Sequence, residues 1–304
     1  MERNLNQKQM LLERNPNLLN CIKVSDRIKT IPYSRYRYDY LLSTSPVKIG
    51  LTEDNVVDVV EDDSVRVNDY LLCTMSSRTK TTMTSFFSSC KLIKIMVYHL
   101  VESFSDILDS LILLNKANIC WFDFTPESIG FGEGSKPILR FFDNSILLDD
   151  DFSITLREIL KNVHIDDFTY KPIEVHLLYY LLMNNETIVS QEAIEIVKTN
   201  FAEKRRLDIT KLCYLDKFVG YSIDVLIADM KPTTWDSYIF CSIYNDLLRQ
   251  IDHRMFPKNA IITDFILVLS SCNEIDPEKR ASLNDLKECC NQVKRNCKKW
   301  GFIN

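Results

Sequence analysis

Residues 119–148 read ICWFDFTPESIGFGEGSKPILRFFDNSILL, and this stretch decides the fold. Two short apolar runs flank Gly132 and Gly134, a pattern that predicts a hairpin closed by a glycine turn. With Gly130, the stretch holds three of the chain's 6 glycines. Asp123 stands just before the hairpin and Asp143 at the end of its second strand. Immediately upstream, Leu92, Met96, Leu100, Phe104, Ile107, Leu111 and Leu114 recur at three- and four-residue spacing, which predicts a long core helix. Downstream of Tyr170 the chain is mainly helical in pattern, with helices predicted over 173–183, 191–198, 238–251, 261–269 and 283–293.

Working toward the N-terminus, the Ser- and Thr-rich stretch 76–90 reads as a connector with one helical turn at Phe86 and Phe87. Before it, β-prone runs at Tyr38–Leu42, Val47–Leu51, Val56–Val60 and Val65–Met75 alternate with polar turns and predict a small antiparallel sheet. Residues 6–20 carry Met10, Leu11, Leu12, Leu18 and Leu19 at approximately helical spacing, so a short amphipathic helix is predicted there. The fold class is therefore α+β in two unequal parts. Residues 1–80 form a small β-rich part with an N-terminal helix, and 81–304 a helical part.

The chain's 304 residues suffice for two lobes with a sizeable core. Hydrophobic residues at 46% and charged residues at 26% are ordinary for a folded protein. Lys+Arg 37 against Asp+Glu 42 leaves a net charge of -5, which argues against a general polyanion binder while allowing a local basic patch. The 10 cysteines have no C-x-x-C spacing and there are only 4 histidines, so zinc and disulfide frameworks are weakly supported. Met1–Asn20 is polar and no apolar run approaches the length of a membrane span, so an intracellular, cytoplasmic protein with reduced thiols is expected.

Paired carboxylates at the ends of a hairpin can share a hard cation such as Mg²⁺, or divide metal binding from proton acceptance. The order of the surrounding motifs is more specific: long helix, W-F-D-F-T-P-E-S, hairpin, F-F-D-N-S, then K-P-I-E, W-D-S-Y and D-P-E-K-R. This series resembles the C-terminal lobe of eukaryotic-type protein kinases over about residues 70–293. Trp121–Ser128 resembles the catalytic loop H-R-D-x-x-x-x-N, and Asp143-Asn144-Ser145 the D-F-G segment. The resemblance implies a bilobal kinase-like fold with a reduced β-rich N-lobe. It implies ATP and Mg²⁺ as cofactors, Asp123 as catalytic base, Asp143 with Ser128 as metal ligands, and transfer of the γ-phosphoryl group to serine or threonine hydroxyls of a protein substrate. It also implies that Glu174 of the A-P-E-like segment pairs with Arg280, and that Asp236 opens a central helix and braces the catalytic loop.

Departures from the family pattern are concentrated where phosphate is handled. Nothing in residues 1–80 resembles G-x-G-x-x-G, and Gly50 is the single glycine there. Lys48, in PVKIG, is the nearest counterpart of the phosphate-clamping lysine and stands as the candidate nucleotide contact. In the catalytic loop the His and Arg positions hold Trp121 and Phe122. The usual lysine is Thr125 and the metal-binding asparagine is Ser128. The alternative is thus a catalytically inactive pseudokinase serving as a scaffold for a protein partner. The span between Glu174 and Asp236 is longer than is usual in the family, and an insertion at about 175–235 is expected to form a helical subdomain. Divergent kinases of this kind resemble those of large DNA viruses, which would place the protein in host cytoplasm or a virion.

Other features have structural readings. Gly132 and Gly134 spell G-x-G between two strands, the context of a turn rather than of a phosphate loop. The stretch 27–40, RIKTIPYSRYRYDY, interleaves cations with four tyrosines, a pattern compatible with nucleic-acid stacking, but it reads as an edge strand with a solvated face. Neither nucleic acid nor membrane is expected as a partner.

Overall fold

The computed structural model describes residues 7–13, 15–46, 49–51, 57–59, 70–149, 152–163, 169–250 and 260–299. The chain is a mixed, mainly helical α+β protein with small antiparallel sheets. It divides into two compact units, Met1–Phe86 with Pro126–Ser145, and Phe87–Thr125 with Ile146–Asn304. The hairpin of the deciding stretch therefore belongs to the same unit as the N-terminal residues.

In the first unit, strand β1 (Gln7–Glu13) is followed by helix α1 (Pro16–Lys29). The single amphipathic helix predicted for 6–20 is corrected here. Asn15 caps a new helix by accepting from the Leu18 N–H at 2.8 Å, and Pro16 at its first turn fixes the helix start. Met10 and Leu12 stand in a strand, whose period of two their spacing also satisfies. Strands β2 (Leu41–Pro46), β3 (Ile49–Leu51), β4 (Val57–Val59) and β5 (Tyr70–Ser76) follow. β5 lies between β1 and β2, antiparallel to both, with Gln7 opposite Ser76 and Glu13 opposite Tyr70. β3 and β4 pair only with each other. α1 places Leu18 and Cys21 against Leu41 and Cys73, the small core of this sheet.

A second sheet in this unit joins β6 (Thr81–Thr82), β8 (Ile129–Phe131) and β9 (Pro137–Leu139). Gly130 is required in β8, since a Cβ there would lie 2.2 Å from the Thr79 Cγ2. Gly134 closes the turn at φ 67. Helix α2 (Met83–Ser88) follows β6, and the Phe86 ring stacks on Phe131 at 4.0 Å.

The second unit is built around helix α3 (Ile93–Lys116), whose Leu100, Phe104, Ile107, Leu108, Leu111 and Leu114 are fully buried. Phe104 meets Phe240 and Tyr244 of α8 (Trp235–Gln250) and Phe265 of α9 (Ala260–Ser270) at centroid distances of 4.6, 5.0 and 5.0 Å. Helix α10 (Leu283–Lys299) packs along α3, with Lys287 bonded to Asp109 and Lys294 to Glu102. After α3 comes strand β7 (Ile119–Cys120), which pairs with β10 (Ile146–Leu147). Helices α4 (Phe152–Asn162), α5 (Ile173–Met183), α6 (Gln191–Arg205) and α7 (Ile223–Asp229) form a second cluster around Leu177, Leu181, Phe201, Leu215 and Phe218. The span after Glu174 is accordingly helical, with a 3₁₀ segment at Ile209–Phe218. Among the described residues no helix is long and apolar enough to cross a membrane.

Candidate functional site

The loop after β7 is held from beneath by one carboxylate. Asp236, in the first turn of α8, is buried and accepts the backbone N–H of Trp121 at 2.9 Å and of Phe122 at 2.8 Å, with the Cys120 thiol at 3.4 Å. Burial pushes its carboxyl up to about 6, against the lowering effect of those N–H groups and of the nearby Lys171 charge. Phe122 takes the left-handed conformation at φ 56, a position where a bulky residue needs its surroundings to hold it. Asp236 and the packing of Trp121 on Phe124, 4.0 Å between rings, supply that hold.

Asp123 follows directly, and its carboxylate receives the Lys171 ammonium at 2.5 Å. The Lys171 side chain is 2% exposed and that of Asp123 16%. The ammonium also lies 5.0 Å from the Phe122 ring centroid, a cation–π contact in a dry site. Sequence reading did not identify Lys171. The available signal was the lysine opening K-P-I-E, combined with the loss of lysine at Thr125, but a pairing across 48 positions depends on the fold.

Glu174 and Arg280 form a second buried centre, both side chains fully enclosed. Nη1 donates to Oε1 at 2.6 Å and Nη2 to Oε2 at 2.9 Å, a two-pronged pair, and the Trp235 Nε1–H adds a bond to Oε1 at 3.1 Å. Since Trp235 precedes Asp236, this pair and the loop clamp share the start of α8.

The remaining candidates lie in the first unit or outside the described residues. Ser128 is buried, and its carbonyl accepts the Arg140 N–H at 2.9 Å. Asp143 is exposed, and its backbone carbonyl receives the Asn20 amide of α1 at 3.2 Å. Its carboxylate adjoins Cys21, whose thiol is pushed well above the usual range by burial first and by that charge second. Lys48 lies outside the described residues.

These surroundings do not fit Mg²⁺. Asp123 already receives an ammonium, Asp143 adjoins a protonated thiol, and among the described residues no group of three His, Cys, Asp or Glu stands together as a metal site. The second unit does contain a cavity of about 700 Å³, walled by Arg205, Lys211, Tyr214, Tyr238, Arg249 and Glu274 among others. Asp123 and Lys171 do not line it. The Glu274 and Ile275 carbonyls that accept from Arg280 belong to two of its wall residues.

No model of a known protein family and no curated protein matches this chain.

Proposed function

We propose that the chain is a divergent protein kinase-like protein of bilobal type, in which the kinase-type loop has been turned from phosphoryl transfer to a structural part of a protein-binding module. Two features support the kinase-like reading. The aspartate opening α8 clamps the loop backbone at Trp121 and Phe122, and the glutamate of K-P-I-E pairs with the arginine of D-P-E-K-R. Both are the roles that the resemblance implies for those positions.

The observation that carries the non-catalytic role is the Asp123–Lys171 pair. A catalytic base in this family orients a substrate hydroxyl and accepts its proton. Here the carboxylate is engaged by a buried cation of its own chain at 2.5 Å, and the neighbouring His and Arg positions are filled by buried Trp121 and Phe122. The cavity beside Tyr214 and Tyr238, where five Lys and Arg residues outnumber three Asp and Glu, is the place offered to an acidic segment of a protein partner. Two observations favour the second reading, phosphotransferase activity: Asp123 retains some exposure, and Lys171 supplies a cation where Thr125 does not.

Labelled-phosphate transfer from Mg²⁺·ATP to a mixed protein substrate, for wild type, Asp123→Asn, Asp143→Asn and Lys171→Met, separates the two. No transfer by any of them is the expected result. Transfer by wild type that Asp123→Asn abolishes would establish the phosphotransferase instead.

A further inference from the structure

The segment 27–40 is not the edge strand that its alternation suggests. It forms the last turn of α1, a 3₁₀ turn at Ser34–Tyr36 and a return through Tyr38, which bridges Leu139 of β9. That return brings three separate parts of the first unit together on the Asp39 carboxylate. Asp39 accepts from the Ser76 hydroxyl at 3.0 Å, the Arg78 N–H at 3.1 Å and the Thr79 hydroxyl at 3.1 Å, and lies 3.9 Å from the Arg140 Nε. Asp39 itself is buried, so its charge is spent inside the hub.

Around this hub stand aromatic rings in solvent, flanked by guanidinium groups. Tyr33 is 77% exposed, Tyr36 51% and Phe141 43%. Tyr33 and Phe141 both adopt the left-handed conformation, at φ 59, which is unfavourable for a bulky side chain. The fold thus holds two rings outward on strained backbone, where relaxation or burial would be the ordinary outcome. The Tyr36 ring lies 4.9 Å from the Arg35 guanidinium and 5.0 Å from that of Arg78, and Arg78 also donates to the Arg35 carbonyl. The Arg140 guanidinium lies 4.5 Å from the Phe141 ring. In the same unit, Asp26 is already bonded to Lys29, and Asp143 adjoins Cys21.

We propose that this surface binds single-stranded nucleic acid, with Tyr33, Tyr36 and Phe141 as stacking platforms for bases and Arg35, Arg78 and Arg140 as partners for the phosphates. Every base offers a π-face, so exposed rings interleaved with cations recognise a strand without reading its sequence. An acidic peptide would use the charges and leave the outward rings unexplained. The chain's net charge of -5 does not oppose this, because phosphate attraction acts locally over about one Debye length. The surface lies wholly within the first unit and is independent of the kinase-like reading.

The test is fluorescence anisotropy of a labelled oligothymidylate of about 20 nucleotides with the full chain, at roughly 50 and 200 mM salt. Binding at the lower salt that weakens by about tenfold or more at the higher is expected. Tyr33→Ala, Tyr36→Ala and Phe141→Ala should each weaken it about 5- to 100-fold, with an unchanged melting temperature for the highly exposed Tyr33. Arg35→Glu should weaken it as well and steepen no other property of folding. Absence of binding at low salt would overturn the proposal. So would binding insensitive to all three aromatic substitutions, or displacement by polyglutamate as effective as by unlabelled oligonucleotide.

Discussion

Arg280 has five N–H donors, and all five are used within the protein. Nε bonds the Glu274 carbonyl, Nη1 bonds Glu174 and Thr234, and Nη2 bonds Glu174 and the Ile275 carbonyl. Its guanidinium also lies 4.7 Å from the Tyr238 ring. Removing it would leave the Glu174 charge enclosed beside the Trp235 indole N–H, a situation that costs roughly 3 to 5 kcal/mol. Arg280→Ala should therefore lower the melting temperature sharply, as differential scanning calorimetry would show. An unchanged melting temperature would contradict the pairing. Glu174, Arg280 and Asp236 could be named through the resemblance carried by P-I-E, D-P-E-K-R and W-D-S-Y. Lys171 could not, because nothing local distinguishes a lysine that will be buried from one that will be solvated.

At the scale of elements, long helices were legible and short segments were not. α3 carries an apolar stripe at helical period over about six turns, whereas Met10–Leu12 satisfies both helix and strand periods, and Pro16 with Asn15 decided between them. The tyrosine segment misled for a similar reason. Its alternation is that of a strand, but local bonds such as the Tyr36 N–H to the Tyr33 carbonyl close a turn at Ser34–Tyr36, and the Asp39 hub depends on residues far along the chain. α5 also carries a pH response. His176, half-buried edge-on to Phe201 at 5.0 Å, has its imidazole pushed down to about 3 by burial first and by Arg205 and Lys204 second. The unfolded chain takes up this proton below its ordinary value of 6.5, while the folded protein stays neutral. The stabilisation is thus complete above that value and is lost as pH falls toward 3. Partial solvent contact limits the loss at pH 5 to the order of 1 kcal/mol. His176→Phe should reduce the drop in melting temperature between pH 7.5 and 5; an identical drop in wild type and variant would refute it.

At the scale of the molecule, the small glycine count has a definite consequence. Three of the 6 glycines serve one stretch, where Gly130 admits Thr79 and Gly134 makes the turn, and the first 80 residues keep only Gly50 for any backbone approach to phosphate. A chain boundary near 76–90 was legible from the change of period, although the observed units are not the expected 1–80 and 81–304. The return of 126–145 to the N-terminal unit was not, because the β6–β8 pairing that joins them involves two residues of β6 with no strand signal of their own. On the kinase-like reading proposed above, a chain with no G-x-G-x-x-G in its first 80 residues and with its loop aspartate bound to Lys171 should have no use for nucleotide. A ligand that binds only the folded state raises stability with its concentration over Kd. The most direct test of this account is therefore the melting temperature in the presence of ATP, with and without Mg²⁺. No change is expected in either condition; a saturable, Mg²⁺-dependent rise that Asp143→Asn abolishes would show that the chain uses nucleotide after all.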